Sequence, residues 1–189
     1  MIRIFFDTET TGLPRNYRAP SNDTANWPRM VQLSWILEDE TRERISERDV
    51  IIYPSGFTIP YEASRIHGIT QGKATRDGIP LKQAIEMFMR DFGKADMMVG
   101  HNISFDKKIV GAELIRLGMR DIMDTKPSYC TMQHGTDICK LPGAYGYKWP
   151  TLQQLYCKLF GKEFDDAHNS ASDIAATERC YWRLKELNM

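Results

Sequence analysis

The chain has 189 residues and a mass of 21.8 kDa, which suits one folded unit, so we expect residues 1–189 to form a single domain. With 42% hydrophobic and 26% charged residues, the composition is typical of a globular protein whose core needs no disulfide or structural metal. Lysine plus arginine and aspartate plus glutamate both number 25. This balance offers no support for a broadly basic surface that coats nucleic acid, so we expect any such contact to be local.

Cysteine usage and the N-terminal sequence bear on the cellular compartment. The four cysteines are far apart and form no C-x-x-C pair, which argues against zinc and favours free thiols in a reducing compartment. They are Cys130, Cys139, Cys157 and Cys180. The opening MIRIFFDTET lacks the apolar stretch of a signal peptide, and no apolar run reaches transmembrane length. We therefore expect a cytoplasmic protein without a membrane partner.

The first part of the chain alternates apolar runs with polar segments. Residues 2–6 are apolar and are followed by a turn-prone Gly-Leu-Pro sequence, which predicts a buried first strand. Residues 15–29 are rich in Asn, Pro and Ser, as in a loop. Residues 30–37 and 50–53 predict two further strands, joined like a hairpin through the charged residues between them.

The rest of the chain predicts a series of helices with two more strands. Apolar residues recur at helical spacing in two segments on either side of a short buried strand. The predicted elements are a helix at 81–92, a strand at 97–100, a helix around 110–117, a short strand near 129–132, an irregular segment at 134–150, and helices at 151–160 and 170–187. This order favours an α/β fold of the ribonuclease-H-like kind, a mixed five-stranded sheet flanked by helices.

Two acids lie near the end of the first predicted strand. Asp7 and Glu9 are two residues apart, and the period of a strand places both carboxylates on the same face. Oxygen-only ligands suit Mg²⁺ or Mn²⁺ better than zinc, which favours nitrogen and sulfur donors. The pair is a weak signal by itself, because surface strands often carry such pairs.

A third acid, Asp106, follows the strand at residues 97–100. Asn102 or Ser104 could cap a helix here, and the spacing from Asp106 to Val110 turns both side chains towards the sheet. An acid on a buried face needs an explanation, and a role in a functional site is one. The alternative, for this residue taken alone, is a structural role in which the carboxylate interacts with the dipole at the helix N-terminus.

A histidine and an acid lie close together near the C-terminal helix. Ser170 and Asp173 match the S-x-x-D pattern of a capping box, which offers a structural role for Asp173. The same acid would lie in the first turn of a helix whose packing stripe is Ile174, Thr177, Tyr181 and Leu184. His168 precedes this helix, on a loop where an imidazole can move and stay partly solvated.

In combination these segments resemble a known family. FFDTETTGLP, GHNISFD and HNSASD are similar to the three exonuclease motifs of the DnaQ-like DEDDh family, which includes the exonuclease domain of the DNA polymerase III epsilon subunit. RIHGIT at residues 65–70 resembles a segment that members carry between the first two motifs. The resemblance extends from residue 2 to about residue 182. It implies a metal-dependent 3′-to-5′ exonuclease that releases nucleoside 5′-monophosphates from single-stranded ends, with DNA as the expected polymer.

The resemblance also implies a role for each site residue. Four acids would hold two divalent ions, Mg²⁺ or Mn²⁺, and these acids are Asp7, Glu9, Asp106 and Asp173. His168 would accept a proton from the attacking water, so activity should fall as pH drops through roughly 7 to 6. Thr10, Leu13 and Asn102 would contact the terminal nucleotide. His67 and His101 also match family positions, but we expect both to be structural histidines.

The chain departs from the family at two places. Residues 15–29 are longer than the turn that many members have after the first motif. Their arginines could pair with phosphates, and Tyr17 and Trp27 could stack on bases; alternatively, Trp27 fills an apolar surface and the arginines are solvated. The sequence also ends soon after its last helix, without the tail by which the proofreading subunit reaches its polymerase, so we do not expect stable polymerase association.

Three alternatives remain open from the sequence. The first is an exoribonuclease that trims RNA or degrades short oligoribonucleotides. The second is a non-catalytic module that uses the fold to hold a nucleic-acid end, a polymerase or another protein, although all five motif residues are present. The third is an unrelated Mg²⁺-dependent phosphatase with a D-x-E strand. It would release inorganic phosphate and no nucleoside monophosphate.

Overall fold

A computed structural model describes residues 1–165 and 169–187. The strands of its main sheet are β1 (Arg3–Thr10), β2 (Met30–Glu38), β3 (Arg44–Ile51), β4 (Met97–Gly100) and β5 (Ser128–Cys130). The helices are α1 (Tyr61–His67), α2 (Gln71–Asp77), α3 (Leu81–Lys94), α4 (Ile103–Arg116), α5 (Thr131–Cys139), α6 (Leu152–Phe160) and α7 (Ser170–Leu187). A 3₁₀ turn at Met123–Thr125 and a small hairpin of β6 (Pro142–Gly143) and β7 (Gly146–Tyr147) complete the described elements.

The main sheet has five strands in the order β3-β2-β1-β4-β5. β1 is antiparallel to β2, and β2 is antiparallel to β3. On its other side β1 is parallel to β4, and β4 is parallel to β5. The predicted α/β fold with a mixed five-stranded sheet is therefore confirmed. β1, the central strand, carries the first predicted acids.

Alternate residues of β1 pack into two different cores. Ile4 and Phe6 belong to the core beneath α3 and α4, where the rings of Phe6 and Phe88 lie 5.2 Å apart. Phe5 belongs to the opposite core beneath α6 and α7, 5.5 Å from the ring of Tyr181. Helices thus cover both faces of the sheet, and the period of two decides which helix each β1 side chain meets. None of the described helices has the length and apolarity of a membrane span.

Most predicted elements are present, but the third strand was placed wrongly. The sequence predicted residues 50–53, whereas β3 is Arg44–Ile51. β3 is an edge strand whose side chains are largely exposed, so it carries few of the apolar residues that reveal a strand. Charged residues on such an edge are a common protection against pairing with another chain.

The segment at 134–150 was also predicted wrongly as irregular throughout. Its first part belongs to α5, and its middle forms β6 and β7. α5 has a weak apolar pattern because it packs through small residues, including Gly135. A Cβ atom added there would lie 2.6 Å from a methyl carbon of Leu155, so glycine allows α5 and α6 to approach closely.

The predicted capping box at Ser170 is wrong in detail. Ser170 is the first residue of α7, is fully buried, and shares a hydrogen bond with the hydroxyl of Ser34 on β2. Asn169 supplies the cap, since its side chain accepts a hydrogen bond from the N–H of Ala171 at 3.1 Å. The backbone N–H of Asp173 donates to the carbonyl of Asn169. The box predicted with Ser170 as its N-cap therefore does not describe the start of α7, because the capping position belongs to Asn169.

Candidate active site

The first feature of the site is an alignment of β1 with α7. Arg3 and Phe5 face α7, where Arg3 donates a hydrogen bond to the Tyr181 hydroxyl at 2.9 Å. Four residues of a strand span roughly 13 Å. Eight residues of an α-helix span about 12 Å, nearly the same length. Because α7 runs antiparallel to β1, the step from Phe5 to Glu9 corresponds to the step from Tyr181 to Asp173.

This alignment brings three of the predicted acids together. Carboxylate oxygens of Asp7, Glu9 and Asp173 all lie within 4.8 Å of one another. Each of the three side chains is half-buried. Asp173 lies in the first turn of α7, so the period of β1 and the start of α7 together produce the cluster.

Asp106 reaches the same region from the opposite face of β1. β4 pairs with β1 only from Arg3 to Phe5, which leaves the backbone beyond that point without a strand partner on this side. The N–H of Thr8 donates to Asp106 Oδ1 at 3.0 Å, and the Thr8 hydroxyl donates to the same oxygen at 2.7 Å. The buried Asp106 carboxylate is therefore fixed in orientation at the open end of β1.

The electrostatics of the cluster are unfavourable in the absence of a cation. Burial, followed by the charges of Asp106, Glu9 and Asp173, raises the pKa of Asp7 well above its usual value. Burial and the charges of Asp173 and Asp106 raise the pKa of Glu9 to about 8. Burial also raises the pKa of Asp106 to about 7, against the lowering effect of the two Thr8 hydrogen bonds. Desolvation and the repulsion between neighbouring carboxylates therefore raise the pKa values of these acids.

The donor set fits a divalent cation of the hard type. Asp7, Glu9 and Asp173 offer carboxylate oxygens alone, the ligands that Mg²⁺ and Mn²⁺ prefer. The four cysteines are free thiols. A bound cation would remove the mutual repulsion that raises the pKa values of the acids.

His168, the predicted general base, lies outside the described residues. The structure does place Asn169 and α7 directly after it in the chain. Its role as proton acceptor stays a prediction from the motif.

The predicted substrate contacts fall into two neighbouring cavities. Thr10 and Leu13 line a cavity of about 210 Å³ together with Glu9 and Phe105. Leu13 is 74% exposed and follows Gly12, whose φ of 153° is one that other residues rarely adopt. The Thr10 hydroxyl donates to the Gly12 carbonyl at 2.6 Å, so this side chain shapes the turn that presents Leu13.

Asn102, the third predicted contact, lines the second cavity. It occupies the position before α4 with a left-handed backbone, and its side chain does not cap the helix. Ser104 does not cap the helix either, since its hydroxyl meets the Asn102 side chain at 3.4 Å. Asn102 therefore holds the N-cap position that the sequence predicted, but its side chain forms no capping hydrogen bond.

Of the two histidines that were expected to be structural, His101 has a partner for each ring nitrogen, whereas His67 lines the cavity beside Glu9 and its buried Nε2 has no hydrogen-bond partner among the described residues. The ring nitrogens of His101 lie 3.0 Å from the Thr131 hydroxyl and 3.0 Å from the Pro150 carbonyl. Burial lowers the pKa of His101 to about 4, so the ring is neutral at pH 7. His67 Nδ1 accepts a hydrogen bond from the Ile69 N–H at 3.1 Å. Burial likewise lowers the pKa of His67, against the effect of the Thr10 carbonyl.

The loop at residues 15–29 divides into structural and exposed side chains. Trp27 is 3% exposed and donates from its indole N–H to the Pro20 carbonyl, so it fills an apolar surface and does not stack on bases. Arg29 is bound to the buried Glu113 at 3.0 Å. Arg18 and Tyr17 are exposed at the surface of the loop.

Sequence reasoning missed two residues that the site uses. Thr8 anchors Asp106, and its position between Asp7 and Glu9 on the other face of the strand was the available signal. Phe105 lines both cavities. Its place directly before Asp106 in the second motif was the corresponding signal for an apolar contact at the site.

Comparisons with known proteins agree with this geometry. A family model for exonucleases, RNase_T, matches residues 4–181. The PolC-type DNA polymerase III of Pediococcus pentosaceus is 27% identical over 184 residues, which is 97% of this chain and 11% of that protein. The chain therefore spans about a tenth of this curated relative.

Solved structures share the fold at low sequence identity. The zinc-bound form of Escherichia coli Exonuclease I with single-stranded DNA matches with a TM-score of 0.77 and 18% identity, over 100% of this chain and 41% of that one. A complex of the same enzyme with a dT13 oligonucleotide gives a TM-score of 0.74 at 18% identity, over 98% and 41% of the two chains. Exonuclease I from Methylocaldum szegediense gives 0.76 at 20% identity, over 100% and 41%.

The family match covers nearly all of the chain, including the strand and helix that supply the acidic cluster. It agrees with the nuclease class that the three motifs predicted. This chain belongs to the exonuclease family, in its DnaQ-like group of metal-dependent 3′-to-5′ exonucleases.

Proposed function

We propose that this chain hydrolyses single-stranded DNA from its 3′ end and releases nucleoside 5′-monophosphates. The observation that carries the proposal is the convergence of Asp7, Glu9 and Asp173 within 4.8 Å at the open end of β1. Family membership and the single-stranded DNA bound to Exonuclease I, which shares the fold, support the choice of substrate.

The acids act by holding two divalent cations, Mg²⁺ or Mn²⁺. Asp7 has a central place because its pKa responds to each of Asp106, Glu9 and Asp173. When bound, such ions lower the pKa of a water molecule and stabilise the charge that develops on the oxygens of a phosphodiester during displacement. Thr8 contributes by keeping the Asp106 carboxylate in one orientation through two hydrogen bonds.

His168 is the proposed proton acceptor for the attacking water. An imidazole of ordinary pKa, roughly 6.5, is largely neutral at pH 7.5 and can accept a proton. A His168→Ala variant should retain metal binding and lose most of its turnover. Undiminished turnover in that variant would assign the base elsewhere.

The small cavity beside Glu9 would receive the terminal nucleotide. Leu13 and Phe105 offer apolar surface to the base, and the turn at Thr10 brings backbone groups close to the acids. Binding the terminal sugar and base there would hold the last phosphodiester against the acidic cluster. Positioning of this kind is a large part of phosphodiester catalysis.

The test is digestion of matched single-stranded DNA and RNA labelled at the 5′ end, with Mg²⁺ or EDTA. The wild type should give a ladder that shortens by one nucleotide at a time on DNA, and EDTA should abolish it. Faster shortening of RNA would replace DNA by RNA as the substrate.

Two outcomes would remove the exonuclease proposal. Binding of the labelled strand without shortening, with Mn²⁺ also tried, would favour a non-catalytic binding module. Release of inorganic phosphate without nucleoside monophosphate would favour a phosphatase. Analysis of the products by chromatography distinguishes both from the ladder.

A further inference from the structure

A second cavity, which we call the aromatic groove, lies next to the acidic site. It has a volume of about 520 Å³ and runs between the loop at residues 15–29, the start of α4, and α5. Its lining includes Tyr17, Arg18, Phe105, Met132, Gln133 and Trp149. This volume is in the range of clefts that hold small organic groups.

The aromatic groove and the smaller cavity at the acidic site share one lining side chain. Phe105 lines both the groove and the smaller cavity that contains Glu9 and Leu13. The next residue in the chain is Asp106. A strand whose last nucleotide occupies the smaller cavity therefore has the groove as its neighbouring space on the far side of Phe105.

Two aromatic side chains that line the groove are exposed to solvent. Tyr17 is 56% exposed and Trp149 is 63% exposed, whereas Trp27 is 3% exposed. The ring centroids of Tyr17 and Phe105 lie 6.4 Å apart. The buried Trp27 packs on the other side chain of this pair, Phe105, also with 6.4 Å between the ring centroids. Exposed aromatic faces are the surfaces on which single-strand binders stack successive bases.

The loop that carries Tyr17 is held in place before any ligand binds. The Asn26 side chain accepts a hydrogen bond from the Asn16 N–H at 2.8 Å and donates to the Asn16 carbonyl at 2.9 Å. Arg116 donates to the carbonyls of Thr24 and Trp27 at 2.6 and 2.7 Å. Such preorganisation reduces the entropy cost of binding.

The charge of the aromatic groove is complementary to a phosphate backbone. Arg18 lines the groove, and within residues 1–165 and 169–187 neither Arg15 nor Arg18 forms an ion pair. Among the described lining residues of the groove, none is acidic. In a protein of zero net charge, an arginine without an ion pair beside exposed aromatic rings marks a local site for an anionic, base-bearing ligand.

From these observations we infer that the aromatic groove binds the second and third nucleotides from the 3′ end of a single strand. Their bases stack on Tyr17 and Trp149, and Arg18 meets a phosphate between them. This inference rests on the proposed exonuclease function and extends it. Bases must be unpaired to enter the groove, so the groove selects single strands over duplex ends.

The test pairs protein variants with substrates that lack a base. The substrates are an eight-nucleotide single strand and the same strand with abasic residues at the second and third positions from its 3′ end. The proteins are the wild type, Trp149→Ala, Tyr17→Ala and a control, Tyr61→Ala. Tyr61 is 71% exposed on α1 and lies against Arg65.

On the intact strand, Trp149→Ala and Tyr17→Ala should each raise KM about tenfold, the effect of losing one base-stacking contact. The abasic strand should have a similarly raised KM with the wild type, and the two variants should then add little to it. Trp149→Phe should restore most of the affinity, and Tyr61→Ala should behave like the wild type. Equal losses on intact and abasic strands, or no loss on either, would overturn the inference.

Binding without turnover separates this inference from the proposed function. Fluorescence anisotropy of the labelled strand, measured with Ca²⁺ in place of Mg²⁺, reports binding when the strand is not hydrolysed. It gives the same comparison of variants and substrates. A wild type that binds with base-dependent contributions from Tyr17 and Trp149 but does not shorten the strand would contradict the exonuclease function alone. Binding that is insensitive to both variants would contradict the groove alone.

Discussion

Two groups of acidic side chains in this molecule have opposite surroundings. Glu113 is fully buried on α4, and its Oε1 accepts from Arg29 and from the backbone N–H of Met30 and forms an ion pair with Arg116, all at 2.9 to 3.0 Å. Asp7 and Glu9 have pKa values shifted by burial and by other acids. One acid is thus neutralised by the protein itself, whereas the cluster concentrates negative charge.

The difference separates structural from functional carboxylates. A buried acid with matched cations ties elements together, here α4 to the start of β2. A cluster of carboxylates that repel one another lowers the stability of the metal-free protein. Such a cost is typical of a functional site, here one that binds a cation. Removing an acid of the cluster should therefore abolish activity and stabilise the metal-free protein. Removing Glu113 should lower stability and leave activity in place.

The largest expected effect is the loss of activity in Asp7→Asn. The substitution keeps the size of the side chain and removes a charge at the centre of the cluster. Since metal stabilisation of the transition state amounts to several kcal/mol, we expect a fall of about a thousandfold in turnover. The rate of shortening of a 5′-labelled strand measures it, and a loss of less than tenfold would show that Asp7 is dispensable.

The second effect is on stability, at Glu113. Glu113→Gln should lower the free energy of unfolding by about 3 kcal/mol, because it leaves two arginines without their buried partner. Glu86→Gln is the matched control, since the Glu86 side chain is 57% exposed and its ion pair with Lys82 is long, at 4.0 Å. Urea denaturation compares the two. Equal stabilities would show that the Glu113 contacts contribute nothing.

A third effect concerns the pH dependence of metal binding. The pKa is about 8 for Glu9 and about 7 for Asp106, so protons compete with the cation below these values. Mg²⁺ affinity should rise by about tenfold per pH unit from pH 6 to pH 8 where one proton is released. Calorimetric titration in buffers of different ionisation enthalpy measures both affinity and proton release. An affinity independent of pH would mean that the acids are already ionised.

The smallest effect is a gain of stability in the metal-free variant. The folded-state pKa values of these acids exceed their unfolded values, roughly 4, so the stability they add at low pH is lost as pH rises towards 8. Asp7→Asn relieves part of the repulsion. In EDTA at pH 8 it should be more stable than the wild type, by on the order of 1 kcal/mol, and at pH 4 the difference should shrink. A less stable variant at pH 8 would contradict this account of the cluster.

The sequence predicted much of the fold because the central elements have strong apolar patterns. β2 is buried at every position and α7 matches its predicted limits, Ser170–Leu187. β3 was misplaced because an edge strand carries mostly exposed residues, and α5 was missed because small residues form its contacts. The seven-residue α1 and α2 were not predicted, since short helices hold too few turns to show a period.

For the site, the sequence predicted which acids to consider, but it could not supply their meeting point. The strand period placed Asp7 and Glu9 on one face, and the structure adds that α7 runs antiparallel above that face. The contact between Thr8 and Asp106 depends on where β4 stops pairing with β1. The aromatic groove depends on the tertiary arrangement that makes Tyr17 and Trp149 line one cavity, which no local pattern encodes.

The most direct test compares Asp7→Asn and Glu113→Gln side by side. Both proteins, with the wild type, are incubated below their unfolding temperatures with a 5′-labelled single strand and Mg²⁺, and shortening is followed on a sequencing gel. The account predicts a full one-nucleotide ladder for the wild type and for folded Glu113→Gln, and no ladder for Asp7→Asn. A ladder of normal rate in Asp7→Asn would contradict the claim that the acids at the end of β1 form the metal-dependent catalytic site.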